Sequence, residues 1–187
     1  AGVPGGEKFL PDGLSMAKSL GGGFPIGAFW VRAPYADLLG PGTHATTFGG
    51  TPLGCAVALK ILEVIEREKL AQNVNETGDY LKNALLRLGA RFPKIIKSVR
   101  GVGFLIGIEF AADIPAFAGE NKASSLQLVN RLHTAGVLTI PSGTQVVRLL
   151  PALNLRRSEA EEGVKIIESV VEKVASASQE MPRLSPD

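Results

Sequence analysis

The chain has 187 residues, 45% hydrophobic and 20% charged, a composition that fits a folded globular protein of one or two domains and excludes a disordered one. Lys and Arg number 20 against 18 Asp and Glu, a net charge of +2 scattered along the chain, so no basic stripe marks a nucleic-acid footprint. One cysteine, Cys55, and two well-separated histidines argue against a disulfide framework and a metal-ligand cluster, and the apolar runs are far shorter than the ~20 residues of a membrane span.

The amino end opens Ala1-Gly2-Val3-Pro4-Gly5-Gly6, with no initiator methionine and no basic-then-apolar leader. A processed or truncated chain from a reducing, cytoplasmic compartment is expected. Glycine-rich zones at residues 21–27, 40–54 and 101–107 are candidate working loops. Residues 14–17 and 27–31 read as short buried strands bracketing the first of them. From Thr51 the spacing changes to that of a helix, with Pro52 in the first turn, apolar residues at Val57, Ile61 and Val64, and an end near Arg67. A second helix carries Leu81, Leu85 and Leu88 and is expected to close at Gly89.

Residues 95–109 predict two strands or one bent strand around Gly101-Val102-Gly103. Ser124 with Gln127 predicts a capping box, and Gly136 closes the helix that follows. Strands are predicted over 137–140 and 146–150, then a second capping box at Ser158 and Glu161 with an apolar face of Val164, Ile167, Val171 and Val174. From residue 176 the polar tail is expected to fray. The alternation of strands and helices predicts an α/β or mixed architecture, divided into residues 1–69 and 70–187. The first part is too short to bury its own apolar strands, so missing upstream chain or a partner is expected to cover it.

Three places could carry chemistry. Lys18 follows an apolar strand and precedes three glycines in Ala17-Lys18-Ser19-Leu20-Gly21-Gly22-Gly23. A lysine that forms a Schiff base must lose its proton near neutrality, which an apolar, partly desolvated site favours. A solvated strand-end lysine is the alternative. Second, Thr46, Thr47 and the glycines of His44-Ala45-Thr46-Thr47-Phe48-Gly49-Gly50-Thr51 lead into a helix amino terminus, an arrangement that suits phosphate; an ordinary Thr51 N-cap explains the same residues. Third, Arg148 lies in the apolar run Val146-Val147-Arg148-Leu149-Leu150, where it needs a carboxylate, either a guest or an internal salt-bridge partner. Gly101-Val102-Gly103 is not a dinucleotide fingerprint, because an apolar strand-like run follows it. His133, near a helix carboxyl end, is expected to be structural.

The stretch 11–28, from Pro11-Asp12-Gly13 through Lys18 to Ile26-Gly27-Ala28, resembles the cofactor-lysine segment of class III pyridoxal-phosphate aminotransferases. The likeness extends over the chain and matches the carboxyl-terminal half of such an enzyme. It implies the end of the large α/β domain of a fold-type I transferase plus a small α+β domain. It further implies that Lys18 holds pyridoxal 5'-phosphate as an aldimine and moves a proton, and that Thr47 binds the cofactor phosphate across a homodimer. Thr46 then lies near the substrate, and Arg148 binds the substrate carboxylate. From its place beside Gly101 and Gly103 in the same likeness, a packing role is expected of Arg100. Serine, tyrosine and asparagine are more usual in the family at the positions of Thr46, Phe48 and Thr51. The implied reaction moves the amino group of N-acetylornithine to 2-oxoglutarate in arginine biosynthesis, with ornithine, 4-aminobutyrate or succinyldiaminopimelate as alternative donors. An inactive fragment, or a cofactor-free module, is the remaining expectation for this chain alone.

Overall fold

Two short strands, β1 (Gly13–Met16) and β2 (Ala28–Val31), pair antiparallel with Gly13 opposite Val31 and Met16 opposite Ala28. They belong to the first of two units in this computed structural model, residues 1–71 and 72–187, which describes residues 10–47 and 49–180. The reading of the amino end, the departure at Phe48 and the part of the tail beyond Glu180 lie outside the described residues; residues 176–180, expected to fray, are helical. The base of the β1–β2 pair is tied by the Arg32 amide donating to Asp12 O at 2.9 Å and by an Arg32–Asp12 ion pair at 3.3 Å.

The chain between the strands turns through a short 3-10 segment, Lys18–Gly21, and a second 3-10 segment follows at Ala33–Leu39. Helix α1 (Pro52–Arg67) then begins where the sequence predicts it. Pro52 takes the first helical position, where its missing N–H costs no hydrogen bond, and Thr51 Oγ1 accepts from the Gly54 amide at 3.4 Å. The Lys18–Gly23 turn packs on this helix: a Cβ on Gly22 would stand 2.4 Å from Ile61 Cδ1, and one on Gly54 would stand 3.2 Å from Phe24 Cε1.

The predicted strands of this unit form, but they are not buried. Among the described residues every position of β1 is exposed, and Phe29 and Trp30 on β2 are 60% and 48% exposed. Leu38, Leu53 and Leu59 are exposed as well. The residues of this unit supply too little apolar surface to cover one another, as its size implied.

In the second unit a four-stranded antiparallel sheet has the order β3 (Ile96–Val102), β4 (Leu105–Phe110), β6 (Val146–Leu149), β5 (Ile140–Ser142). Helix α2 (Leu70–Arg91), which begins at the end of the first unit, supplies Leu81, Leu85 and Leu88 to the core. Helix α3 (Ser124–Thr134) supplies Leu128 and Leu132, and α4 (Arg157–Glu180) supplies Ile167, Val171 and Val174. Alternate sheet residues Ile106, Ile108, Phe110 and Val147 are wholly buried in the same core. The two-residue period of a strand therefore turns the remaining alternate residues to the opposite, outer face.

Several boundaries differ from those the sequence predicts. Gly89 lies inside α2, which continues to Arg91, because its φ is not positive and so it does not take the left-handed conformation of a helix cap. Neither capping box forms. Ser124 and Ser125 are buried and donate to Thr144 O and Gly143 O at 3.3 and 2.8 Å, so tertiary contacts take the hydroxyls that a cap would use. At α4 the Glu159 carboxylate, not Ser158, receives the Arg156 amide at 2.8 Å. The strand predicted over 137–140 begins only at Ile140, while Gly136, at φ 98°, follows the end of α3 as expected.

Candidate functional site

Lys18 opens the 3-10 segment two residues past the end of β1, and its backbone is left-handed, φ 54°, one of two such non-glycine residues among those described. That conformation costs a residue with a Cβ about 1–2 kcal/mol, and such outliers cluster where the surrounding chain over-determines a functional side chain. The over-determination is visible: Ala17 O receives the Leu20 amide at 3.1 Å, Ser19 O receives the Gly22 amide at 3.1 Å, and Gly21 O receives the Phe24 amide at 2.8 Å. Among the described residues the Lys18 amine has no acid or hydrogen-bond partner. The apolar enclosure expected around Lys18 is not supplied by the described residues, for Lys18 and its neighbours 15–17 are exposed.

Thr46 and Thr47 lie in the same unit, on the loop that enters α1, and both are exposed. The loop is folded tightly on itself. A Cβ on Gly49 would stand 2.1 Å from Thr46 Cγ2, and Gly50 takes φ 69°, a conformation that glycine adopts without the Cβ penalty. Two hydroxyls precede a sixteen-residue helix, but its first turn offers few free donors: Pro52 has no N–H, and the Gly54 and Cys55 amides donate to Thr51 Oγ1 and Thr51 O at 3.4 and 2.9 Å. The Thr51 cap is therefore present, and the phosphate reading rests on the hydroxyls.

Arg148 lies in the second unit, in the middle of β6, opposite Gly107 on β4 and Ile140 on β5. Its Nε is buried without a hydrogen-bond partner, and no carboxylate among the described residues lies within ion-pair distance of its guanidinium. The internal salt bridge that the sequence left open is therefore not made by the described residues.

A family description, "Aminotransferase class-III", matches residues 7–171. The chain belongs to the class-III aminotransferases. It is 38% identical over 166 residues to the acetylornithine aminotransferase of Nostoc sp., covering 89% of this chain and 37% of that protein. It is 39% identical over 161 residues to the succinylornithine transaminase of Photorhabdus laumondii, covering 86% and 38%. Among solved structures, the acetylornithine aminotransferase of Elizabethkingia anophelis superposes with a TM-score of 0.79 at 31% identity, over 90% of this chain and 40% of that one. The Toxoplasma gondii ornithine aminotransferase, whose active site has partial occupancy of pyridoxal phosphate, gives 0.79 at 34% identity, over 91% and 38%. The class-III chain thus spans about two fifths of the length of the relatives it matches, 37% and 40% of the first two curated ones. Its mixed α/β architecture is a portion of the fold-type I transferases.

Around Arg148 this class-III chain carries a second charged cluster that the sequence reading missed. Arg100 is not a packing residue: its guanidinium binds the Glu109 carboxylate at 2.8 Å, and Ser98 Oγ donates to the same carboxylate at 2.6 Å. The Ser98 hydroxyl first, and Arg100 next, hold the Glu109 carboxyl below its ordinary range. Ser98, Arg100 and Glu109 occupy outer-face positions of β3 and β4, and strand alternation around Ile106, Ile108 and Phe110 was the signal that could have found them. His133 is structural, with Nε2 at 2.7 Å from Thr139 O and 3.1 Å from the Thr139 amide.

Proposed function

We propose that the polypeptide carrying this chain is a pyridoxal 5'-phosphate-dependent aminotransferase that moves the amino group of N-acetylornithine to 2-oxoglutarate. The observation that carries the reading is Lys18: a lysine locked in a left-handed turn at a strand end, with its amine left without a partner by the described residues. The residues present suit the cofactor. Lys18 offers a primary amine to an aldehyde, and the Thr47 hydroxyl, on the loop leading to the amino end of α1, offers a donor to a phosphate. Bound pyridoxal phosphate would supply an electron sink for the carbon that bears the transferred amine.

The chain's own residues divide the remaining work. Lys18 Nζ takes the proton from the amine-bearing carbon and would deliver it to the cofactor's aldehyde-derived carbon, C4′, with the same shuttle run in reverse in the other half-reaction. Arg148 takes the substrate carboxylate through paired N–H donors and fixes the orientation of the acid. Thr46 stands beside the substrate, and Thr47 serves the phosphate of the neighbouring subunit in a homodimer. On this reading the 187-residue chain alone binds the cofactor poorly and turns over nothing, because its lysine is exposed and the relatives it matches are more than twice its length.

Borohydride reduction of the native polypeptide with pyridoxal phosphate, followed by peptide mass mapping, tests the assignment. The label is expected on Lys18 and lost in Lys18→Ala; a label on another residue refutes it. The likeness to the Toxoplasma gondii ornithine aminotransferase favours ornithine as a second donor. Initial rates with a panel of ω-amino donors separate the two.

A further inference from the structure

The outer face of the second unit's sheet holds a row of four residues read directly from the strand register: Arg100 on β3, Gly107 on β4, Arg148 on β6 and Ile140 on β5. The two arginines of this row are in different states. Arg100 is engaged by Glu109 and Ser98 in the adjacent row, at 2.8 and 3.2 Å, whereas Arg148 has no protein carboxylate among the described residues and a buried, unpartnered Nε. Between them stands a residue with no side chain.

The backbone does not require glycine at position 107: its φ is not positive, so any residue fits the strand. An added Cβ would press on Val146 Cγ1 at 3.2 Å, a side-chain methyl that must give by a few tenths of an ångström, and would stand 4.0 Å from Arg100 O. Facing residues on antiparallel strands hold their Cβ atoms about 5 Å apart, so any longer side chain at 107 would lie along the Arg148 stem and cover its guanidinium. Across the gap the strands of Arg100 and Arg148 are two spacings, about 10 Å, apart, which is room for a planar carboxylate beside Arg148.

We propose that Gly107 is a specificity-determining position: the slot it leaves between the neutralised Arg100 and the free Arg148 admits the carboxylate of a linear amino or oxo acid. The proposal rests on the assignment of Arg148 as the carboxylate-binding residue and adds what controls access to it. A slot of this kind favours acids unbranched next to the carboxylate, and it makes carboxylate recognition a property of the second unit's sheet alone.

Glutarate, which has the two carboxylates of the acceptor without its oxo group, is the probe, titrated calorimetrically into the native polypeptide. Gly107→Val is expected to weaken glutarate at least about tenfold, the scale of a lost charge-assisted contact. Gly107→Asp is expected to do the same while leaving the thermal midpoint unchanged or raised, because its carboxylate pairs with Arg148 across the strands. A purely structural glycine would instead lower the midpoint in both variants. Parent-like glutarate affinity in Gly107→Val and Gly107→Asp overturns the proposal, as does an equal loss of midpoint in the two. Arg148→Gln separates the layers: if it leaves glutarate binding intact, the Arg148 assignment itself fails, and if it weakens binding while the Gly107 variants do not, only the slot is refuted.

Discussion

Three helical glycines of the second unit should respond to alanine in opposite directions, and their spacing to neighbours sets the order. In a helix interior alanine is favoured over glycine by about 1 kcal/mol. Gly163 on α4 has nothing within 4 Å of an added Cβ, so Gly163→Ala should gain nearly all of that. Gly78 on α2 faces the β3–β4 turn, where the same Cβ would fall 2.5 Å from Gly103 O, 2.6 Å from its C and 2.9 Å from its Cα. Carbon contacts are optimal near about 3.5–4.0 Å, so α2 or the turn must retreat by roughly 1 Å. Both partners are backbone, and Gly101 O is further tied to Lys82 Nζ at 2.9 Å, so no flexible side chain can absorb the shift. Overpacking of this kind costs about 1–3 kcal/mol, and more where nothing yields. With only backbone to yield, the upper part of that range applies, about 2–3 kcal/mol, so Gly78→Ala should lose about 1–2 kcal/mol net, after the helical gain of about 1 kcal/mol. Gly89, with Ile96 Cγ2 at 3.2 Å, should fall between the two. Urea unfolding followed by circular dichroism measures all three as shifts of midpoint at constant m. A Gly78→Ala protein as stable as the parent, or a series that follows helix propensity alone, would refute the close approach of α2 to the turn.

Glu109, held below the ordinary carboxylate range of about 4.3 by Ser98 and Arg100, contributes stability that is present above the unfolded value and lost as pH falls through the folded one. Glu109→Gln should flatten that part of the acid dependence, read as the difference in thermal midpoint between neutral and acid pH, and an unchanged slope would contradict the pairing. Phe110, wholly buried in the sheet core, should cost about 3–5 kcal/mol as alanine, whereas Ile108→Val should cost about 0.5–1.5 kcal/mol, both by chemical denaturation. Thr47→Val should weaken retention of pyridoxal phosphate on dialysis of the native polypeptide while leaving borohydride labelling of Lys18 possible at excess cofactor.

The fold was legible where local chemistry and tertiary packing agree. Pro52 after Thr51 marked the start of α1, and the spacing of Leu81, Leu85 and Leu88 marked the buried face of α2. It was illegible where a distant group took over a local signal. Ser124 looks like an N-cap, yet its hydroxyl and that of Ser125 are spent on the 143–144 turn, nineteen or so residues away in chain order. Of the site, Lys18, Thr46, Thr47 and Arg148 stood out as polar residues in apolar or glycine-rich surroundings. What the residue string could not disclose was the backbone sign at Lys18, the missing acid at Arg148, or the neighbour relation of Arg148 and Gly107 across forty residues of chain. Each of these depends on register and φ, which no single residue type encodes.

The placement of the single tryptophan gives the first unit an optical channel of its own. The single tryptophan, Trp30, is half-exposed on β2 of the first unit, so its emission reports only what covers that strand and should shift to the blue when apolar surface closes over it. The second unit contains no tryptophan; its Tyr80 ring lies under the Arg157 guanidinium, 3.3 Å from the centroid. Red-edge excitation therefore watches the first unit alone, whereas tyrosine emission mixes Tyr35 of the first unit with Tyr80 of the second; a melt followed by tryptophan emission and by far-ultraviolet circular dichroism reads whether the first unit loses structure with the whole.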